Sequence, residues 1–112
     1  MRIAIPMADG RLAQHFGHCE EFALVDVDGG SPARLSITMA PAPPHEPGRL
    51  PAMLKELGVQ TVIAGGIGSR AMALFAESGI QVIAGAPALD AETLARCFLE
   101  GSLVTGDNAC SH

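Results

Sequence analysis

The residues with the most chemistry in this chain stand together at His15-Phe16-Gly17-His18-Cys19, followed at once by Glu20 and Glu21. Imidazole and thiol are donors that soft and borderline metals prefer, and the glycine lets backbone and side chains converge on one point. The comparable stretch is the terminal Cys110-Ser111-His112, whose thiolate and imidazole suit zinc, copper(I) or the iron of a cluster. Cys19 and Cys110 with His18 and His112 make a donor set for a tetrahedral ion or for the exposed edge of a cluster. His15 adds one more imidazole. A plainer reading stays open at both places: a structural turn whose Phe16 plugs the core while His15 bonds a backbone carbonyl, and an inert tail.

A second constellation is Gly65-Gly66-Ile67-Gly68-Ser69-Arg70, which follows an apolar run and opens a helical pattern. Backbone N–H groups at a helix start attract anions, and ligands favour the carboxyl ends of strands in such sheets. Gly65, Gly66, Gly68, Ser69 and Arg70 are therefore candidates for docking an anionic cofactor. The spacing is not the dinucleotide fingerprint, and no partner acid follows at the expected distance. Glycines needed only for a tight turn are the competing explanation. Cys97 falls on an apolar helical stripe and reads as a small core hydrophobe. Met7, Met39 and Met53 also read as core, and His45 as a solvated loop residue.

The elements that must position these groups follow from periodicity. Residues 2–7 read as a strand ended by Pro6, and 8–20 as a loop with Asp9-Gly10 as its turn. Strands at 22–28 and 34–40 form a hairpin, with Leu35, Ile37 and Met39 alternating inward. Four prolines between Pro41 and Pro47 make an extended connection. From Arg49 the period changes: Leu50, Met53, Leu54 and Leu57 form one helical stripe, and Gly58 suits a left-handed cap. Short apolar runs at 61–64 and 80–84 read as buried parallel strands, joined by a helix bearing Ala71, Leu74 and Phe75. Asp90 caps a third helix, stapled by Leu89 and Leu94 and ended by Gly101. The expected order is β-β-β-α-β-α-β-α, a mixed sheet of about five strands between helices.

With 112 residues and nearly half of them apolar, the chain fits one domain. No run approaches the roughly 18–20 apolar residues of a membrane span, and no leader pattern opens the sequence, so the expectation is a soluble cytoplasmic protein. Seven basic against twelve acidic residues give a net charge of −5, with the basic ones scattered. That weighs against nucleic-acid binding. Three cysteines at irregular spacing do not make a disulfide scaffold.

Several of these features together resemble the dinitrogenase iron–molybdenum cofactor biosynthesis family: Arg2-Ile3-Ala4-Ile5-Pro6, His15-Phe16-Gly17 before the Phe22 strand, Gly65-Gly66-Ile67-Gly68, and Ala71, Phe75 and Gly79-Ile80-Gln81-Val82 in order. The resemblance implies a ribonuclease-H-like three-layer α/β/α domain over 1–101, with 102–112 a tail. It implies a protein that binds or carries iron–molybdenum cofactor, its precursors or another metal–sulfur cluster, usually without catalysis. Nuclease activity is not expected, because the first strand lacks the carboxylates that hold two metal ions. The partners expected are cluster donor and acceptor proteins, and a second copy through exposed strand edges. Two other readings remain: a zinc or copper(I) protein using the same His and Cys residues, and an enzyme or small-anion module at the glycine turn. Cys19 beside His18 is the one nucleophile–base pair an enzyme would have.

Overall fold

Ile3, Ala4 and Ile5 have no accessible surface, which marks the first strand as central, covered on both faces. The computed structural model describes residues 1–14, 16, 19–29, 34–42, 49–103 and 105–106. The strands are β1 (Arg2–Ala8), β2 (Arg11–Leu12), β3 (Glu21–Asp28), β4 (Arg34–Pro41), β5 (Thr61–Ile63) and β6 (Gln81–Ile83). The helices are α1 (Arg49–Glu56), α2 (Ser69–Glu77) and α3 (Ala91–Glu100). The sheet order is β4-β3-β1-β5-β6, with the short β2 added to β1. β3 pairs antiparallel with both β1 and β4, while β5 runs parallel to β1 and to β6. The fold is thus the expected mixed α/β sheet, with β2 as an additional strand inside the segment read as loop.

Pro6 does not end β1. It pairs with Phe22 inside the strand. Val27 N–H donates to Met1 O, so odd-numbered residues of β1 bond β3 and even-numbered ones face the other neighbour. That neighbour, β5, pairs only as far as Ala4. The missing N–H of Pro6 therefore costs no ladder bond, and its carbonyl accepts from Ala13 N–H at 2.8 Å.

Two apolar layers sandwich the sheet. On one face Ile3, Ile5, Val25 and Ile63 pack with Ala91, Leu94 and Ala95 of α3. On the other, Ala4, Phe22, Leu24 and Val62 pack with Leu54 of α1 and Phe75 of α2. The expected caps of α3 are present: Asp90 accepts from Thr93 N–H at 3.1 Å, and Gly101 takes a left-handed φ of 74°.

Two expectations about the core are corrected. Ile37 and Met39 do alternate onto one face, but they are 41% and 45% exposed. Alternation fixes the side of the sheet, and among the described residues α3 packs over β1 and β3. Of the inward-alternating β4 residues, Leu35 therefore reaches the core while Ile37 and Met39 stay exposed. Cys97 is only half-buried, because the buried stripe of α3 runs through Ala91, Leu94 and Ala95 and places Cys97 on its flank. Among the described residues, no helix is long and apolar enough to cross a membrane.

Candidate functional site

The loop between β1 and β3 is held down by backbone bonds. Asp9 (φ 53°) and Gly10 (φ 77°) turn the chain so that β2 lies against the end of β1. Gln14 O then accepts from Gly66 N–H at 2.6 Å, and Gly66 O accepts from Phe16 N–H at 2.7 Å. The Phe16 ring packs edge-on against Phe75 and Phe22, with centroids 5.5 and 5.9 Å away. Cys19 N–H donates to Phe16 O at 3.4 Å, and Glu20 N–H returns the chain to Met7 O at 2.9 Å. The Glu20 carboxylate accepts from Asp9 N–H, so it already has a structural task.

Cys19 follows this anchored turn and packs against the aromatic layer. Burial pushes its thiol above the ordinary range, against a smaller lowering by its own backbone N–H. Metal binding at Cys19 would release a proton.

The glycine turn meets the loop directly. A Cβ on Gly65 would lie 3.1 Å from Ala13 O and 3.2 Å from Gln14 O, so this glycine permits a close approach of two backbones. The N–H of Gly66 is committed to Gln14 rather than offered to an anion. Gly68 is different. It is the N-cap of α2 with ordinary φ and ψ of −69° and 152° and no side-chain cap, and a Cβ there would meet nothing within 4 Å. Ser69 and Arg70 are exposed beside it.

A further pair was not singled out by the sequence. Gly65 O accepts from Gly85 N–H at 2.8 Å, and Gly85 O accepts from Gly106 N–H at 2.7 Å. Gly85 has a φ of 78°, and a Cβ on it would overlap the Gly106 carbonyl. Gly106 belongs to the segment that leads into Cys110 and His112. The signal was present only as two glycines, one directly after an apolar strand.

The structure thus brings the Cys19 loop, the Gly65–Gly66 turn and Gly106 to one edge, where β1, β5 and β6 end. His15, His18, His45, Cys110 and His112 lie outside the described residues. Among the described residues, no group of three or more His, Cys, Asp or Glu side chains is arranged to hold a metal. Cys19 is the sole described member of the expected ligand set.

Comparison with known proteins agrees with the fold. A protein of Methanocaldococcus jannaschii, MJ0580, is 33% identical over 106 residues, spanning 92% of this chain and 89% of that one. The crystal structure of PH0822 superposes with a TM-score of 0.83 at 31% identity, over 94% of both chains. The apo form of the orange protein from Desulfovibrio gigas shares the fold at a TM-score of 0.71 and 21% identity, over 96% of this chain and 93% of that one. The family model described as dinitrogenase iron–molybdenum cofactor matches residues 1–101. The chain belongs to that family.

Proposed function

We propose that this protein is a non-enzymatic carrier of a metal–sulfur cluster, iron–molybdenum or another, in cofactor biosynthesis or cluster trafficking in the cytoplasm. The observation that supports it best is the backbone path from Phe16 through Gly66 and Gly65 to Gly85 and Gly106. This path anchors the Cys19 loop and the start of the Cys110/His112 tail at one end of the sheet. Cys110 is the fourth residue after Gly106, a reach of up to about 14 Å. His15, His18, Cys19, Cys110 and His112 are the ligands in this reading. Of the turn's residues, Gly68, Ser69 and Arg70 on its open side dock the anionic part of the cargo, while Gly65 and Gly66 hold the turn against the Gln14 backbone.

Thiolate and imidazole suit iron and other soft metals. A set drawn from one loop and one tail can open, which suits a cargo taken from a donor protein and passed to an acceptor. The test is anaerobic purification or reconstitution followed by metal and sulfide analysis and a visible spectrum. Iron or molybdenum with sulfide is expected, lost in Cys19→Ala and kept in Cys97→Ala. A single colourless zinc ion would replace this reading with a zinc site, and no metal after reconstitution would end both.

A further inference from the structure

The longest edge of the sheet has nothing on it among the described residues. β4 is eight residues long and terminal in the strand order, whereas the opposite edge, β6, has three. Proteins normally blunt such an edge with charge, bulges or brevity. β4 does none of these between its ends: from Leu35 to Ala40 it carries no charged residue. Two of the five exposed large hydrophobic residues described in the molecule, Ile37 and Met39, stand on it.

The register shows which backbone groups face outward. Ala42 N–H donates to Glu20 O, directly beyond the pair Pro41–Glu21. In an antiparallel ladder, bonded and non-bonded pairs alternate, so Ala40, Thr38 and Ser36 bond β3. The N–H and C=O of Leu35, Ile37 and Met39 therefore point away from the sheet. These same three residues place their side chains on the α3 face.

We infer that β4 is a homodimerisation edge, pairing antiparallel with β4 of a second copy about a two-fold axis at Ile37. In that register Ile37 faces its own mate, and Leu35 faces Met39 of the other chain. All three are outward-bonding positions, so each exchanges both its N–H and its C=O bond across the axis. Apolar side chains meet apolar ones on the α3 face, and Ser36 meets Thr38 on the other. The segment is self-complementary, as a two-fold interface requires. Charge favours the same place. Each copy carries a net charge of −5, and a two-fold axis sets any charged residue near it against its like; this edge has none to oppose. One strand edge is smaller than the roughly 800 Å² per partner of a standard stable interface, so the dimer is weak and depends on concentration.

Sedimentation equilibrium over a concentration series tests this. The mass of the wild type is expected to rise from monomer toward dimer. Ile37→Lys, which sets two ammonium groups against each other at the axis, stays monomeric with an unchanged circular-dichroism spectrum. Ile37→Cys adds a test of register. Facing residues of a bonded pair have Cα atoms about 5.5 Å apart, within the range of a disulfide. Mild oxidation should cross-link Ile37→Cys well above the wild-type background of native thiols. Ser36→Cys, offset from its own mate by two residues, should not cross-link above that background. Monomer mass at the highest concentration reached overturns the inference and leaves the edge to a strand of another protein. So does an Ile37→Lys variant that dimerises like the wild type, or equal cross-linking at 36 and 37.

Discussion

Where β1, β5 and β6 begin, one long side chain joins three segments. The Arg2 guanidinium donates to the Asp26 carboxylate on β3 at 2.7 Å and to the carbonyl of Leu57, just past α1, at 2.5 Å. Where the same strands end, joining is left mainly to the backbone: Gly66 to Gln14, Phe16 to Gly66, Gly85 to Gly65, Gly106 to Gly85. A side-chain clamp reaches across a gap and fills it. Backbone stitching requires chains in near contact, which Gly65 and Gly85 permit by having no Cβ. It also leaves side chains uncommitted. Backbone bonds also link the strand starts, Gln60 N–H to Arg2 O and Gln81 N–H to Gln60 O. The end whose links run through crowded glycines, however, is the one carrying the Cys19 loop and the base of the tail.

The largest effect on this comparison comes from the layer beneath the stitched end. Phe75 is fully buried and packs against Phe16. Phe75→Ala is expected to cost about 3–5 kcal/mol in urea unfolding. Because the cavity opens under Phe16, Cys19 should also become more reactive to alkylation in the folded state. A loss of stability with unchanged Cys19 reactivity would show that the loop is held by its backbone bonds alone.

The same substitution at the two ends separates strain from stitching. Gly58 and Gly85 both have a φ of 78°, but a Cβ on Gly58 meets nothing within 4 Å. Alanine at either position costs roughly 1–2 kcal/mol of left-handed strain. Only Gly85→Ala should also expel Gly106, seen as faster hydrogen exchange at the Gly106 amide. Cluster retention should fall with it if Cys110 and His112 are ligands. Protection of Gly106 that survives Gly85→Ala would break the distinction between the ends.

That contrast also explains what the sequence could and could not convey. Thr61–Ile63, Gln81–Ile83 and the caps at Asp90 and Gly101 were legible because each is a local pattern. The Pro6 assignment failed because a proline is harmless wherever the missing N–H faces a gap, and the gap depends on where β5 stops. Ile37 and Met39 were given the right face and the wrong burial, since coverage depends on where α3 lies. Arg11–Leu12 pairs locally with Met7 and Ala8 across the Asp9-Gly10 turn but is too short to show a period. The Gly85–Gly106 bond joins distant segments and leaves no periodic trace. Of the expected metal ligands, the structure places Cys19, and its surroundings rest on Gly65, whose crowding is also long-range.

A smaller effect concerns the proton on Cys19. Burial holds the folded thiol protonated to higher pH than the unfolded one. The folded state therefore loses stability as pH rises from the ordinary thiol range through the raised value. Iodoacetamide labelling read by peptide mass spectrometry should be slower at Cys19 in the folded chain than in urea. Its rate should still be climbing where the unfolded thiol has levelled off. Identical pH profiles in the two states would remove the burial effect.

The smallest energetic change discriminates most sharply between the two readings of the glycine turn. Gly65 is explained by its neighbours, but Gly68 has an ordinary backbone conformation and open space where a Cβ would stand. Serine fits there without strain, and its hydroxyl can cap α2, which lacks a side-chain cap. Gly68→Ser should therefore raise stability by a few tenths of a kcal/mol. If the turn is only structural, nothing else changes. If cargo docks against it, the added side chain stands where the cluster must approach, and retention falls while the fold becomes more stable. Opposite signs in urea unfolding and in metal retention would assign the open side of Gly68 to the ligand; a more stable protein with full retention would confine binding to the thiol and imidazole groups.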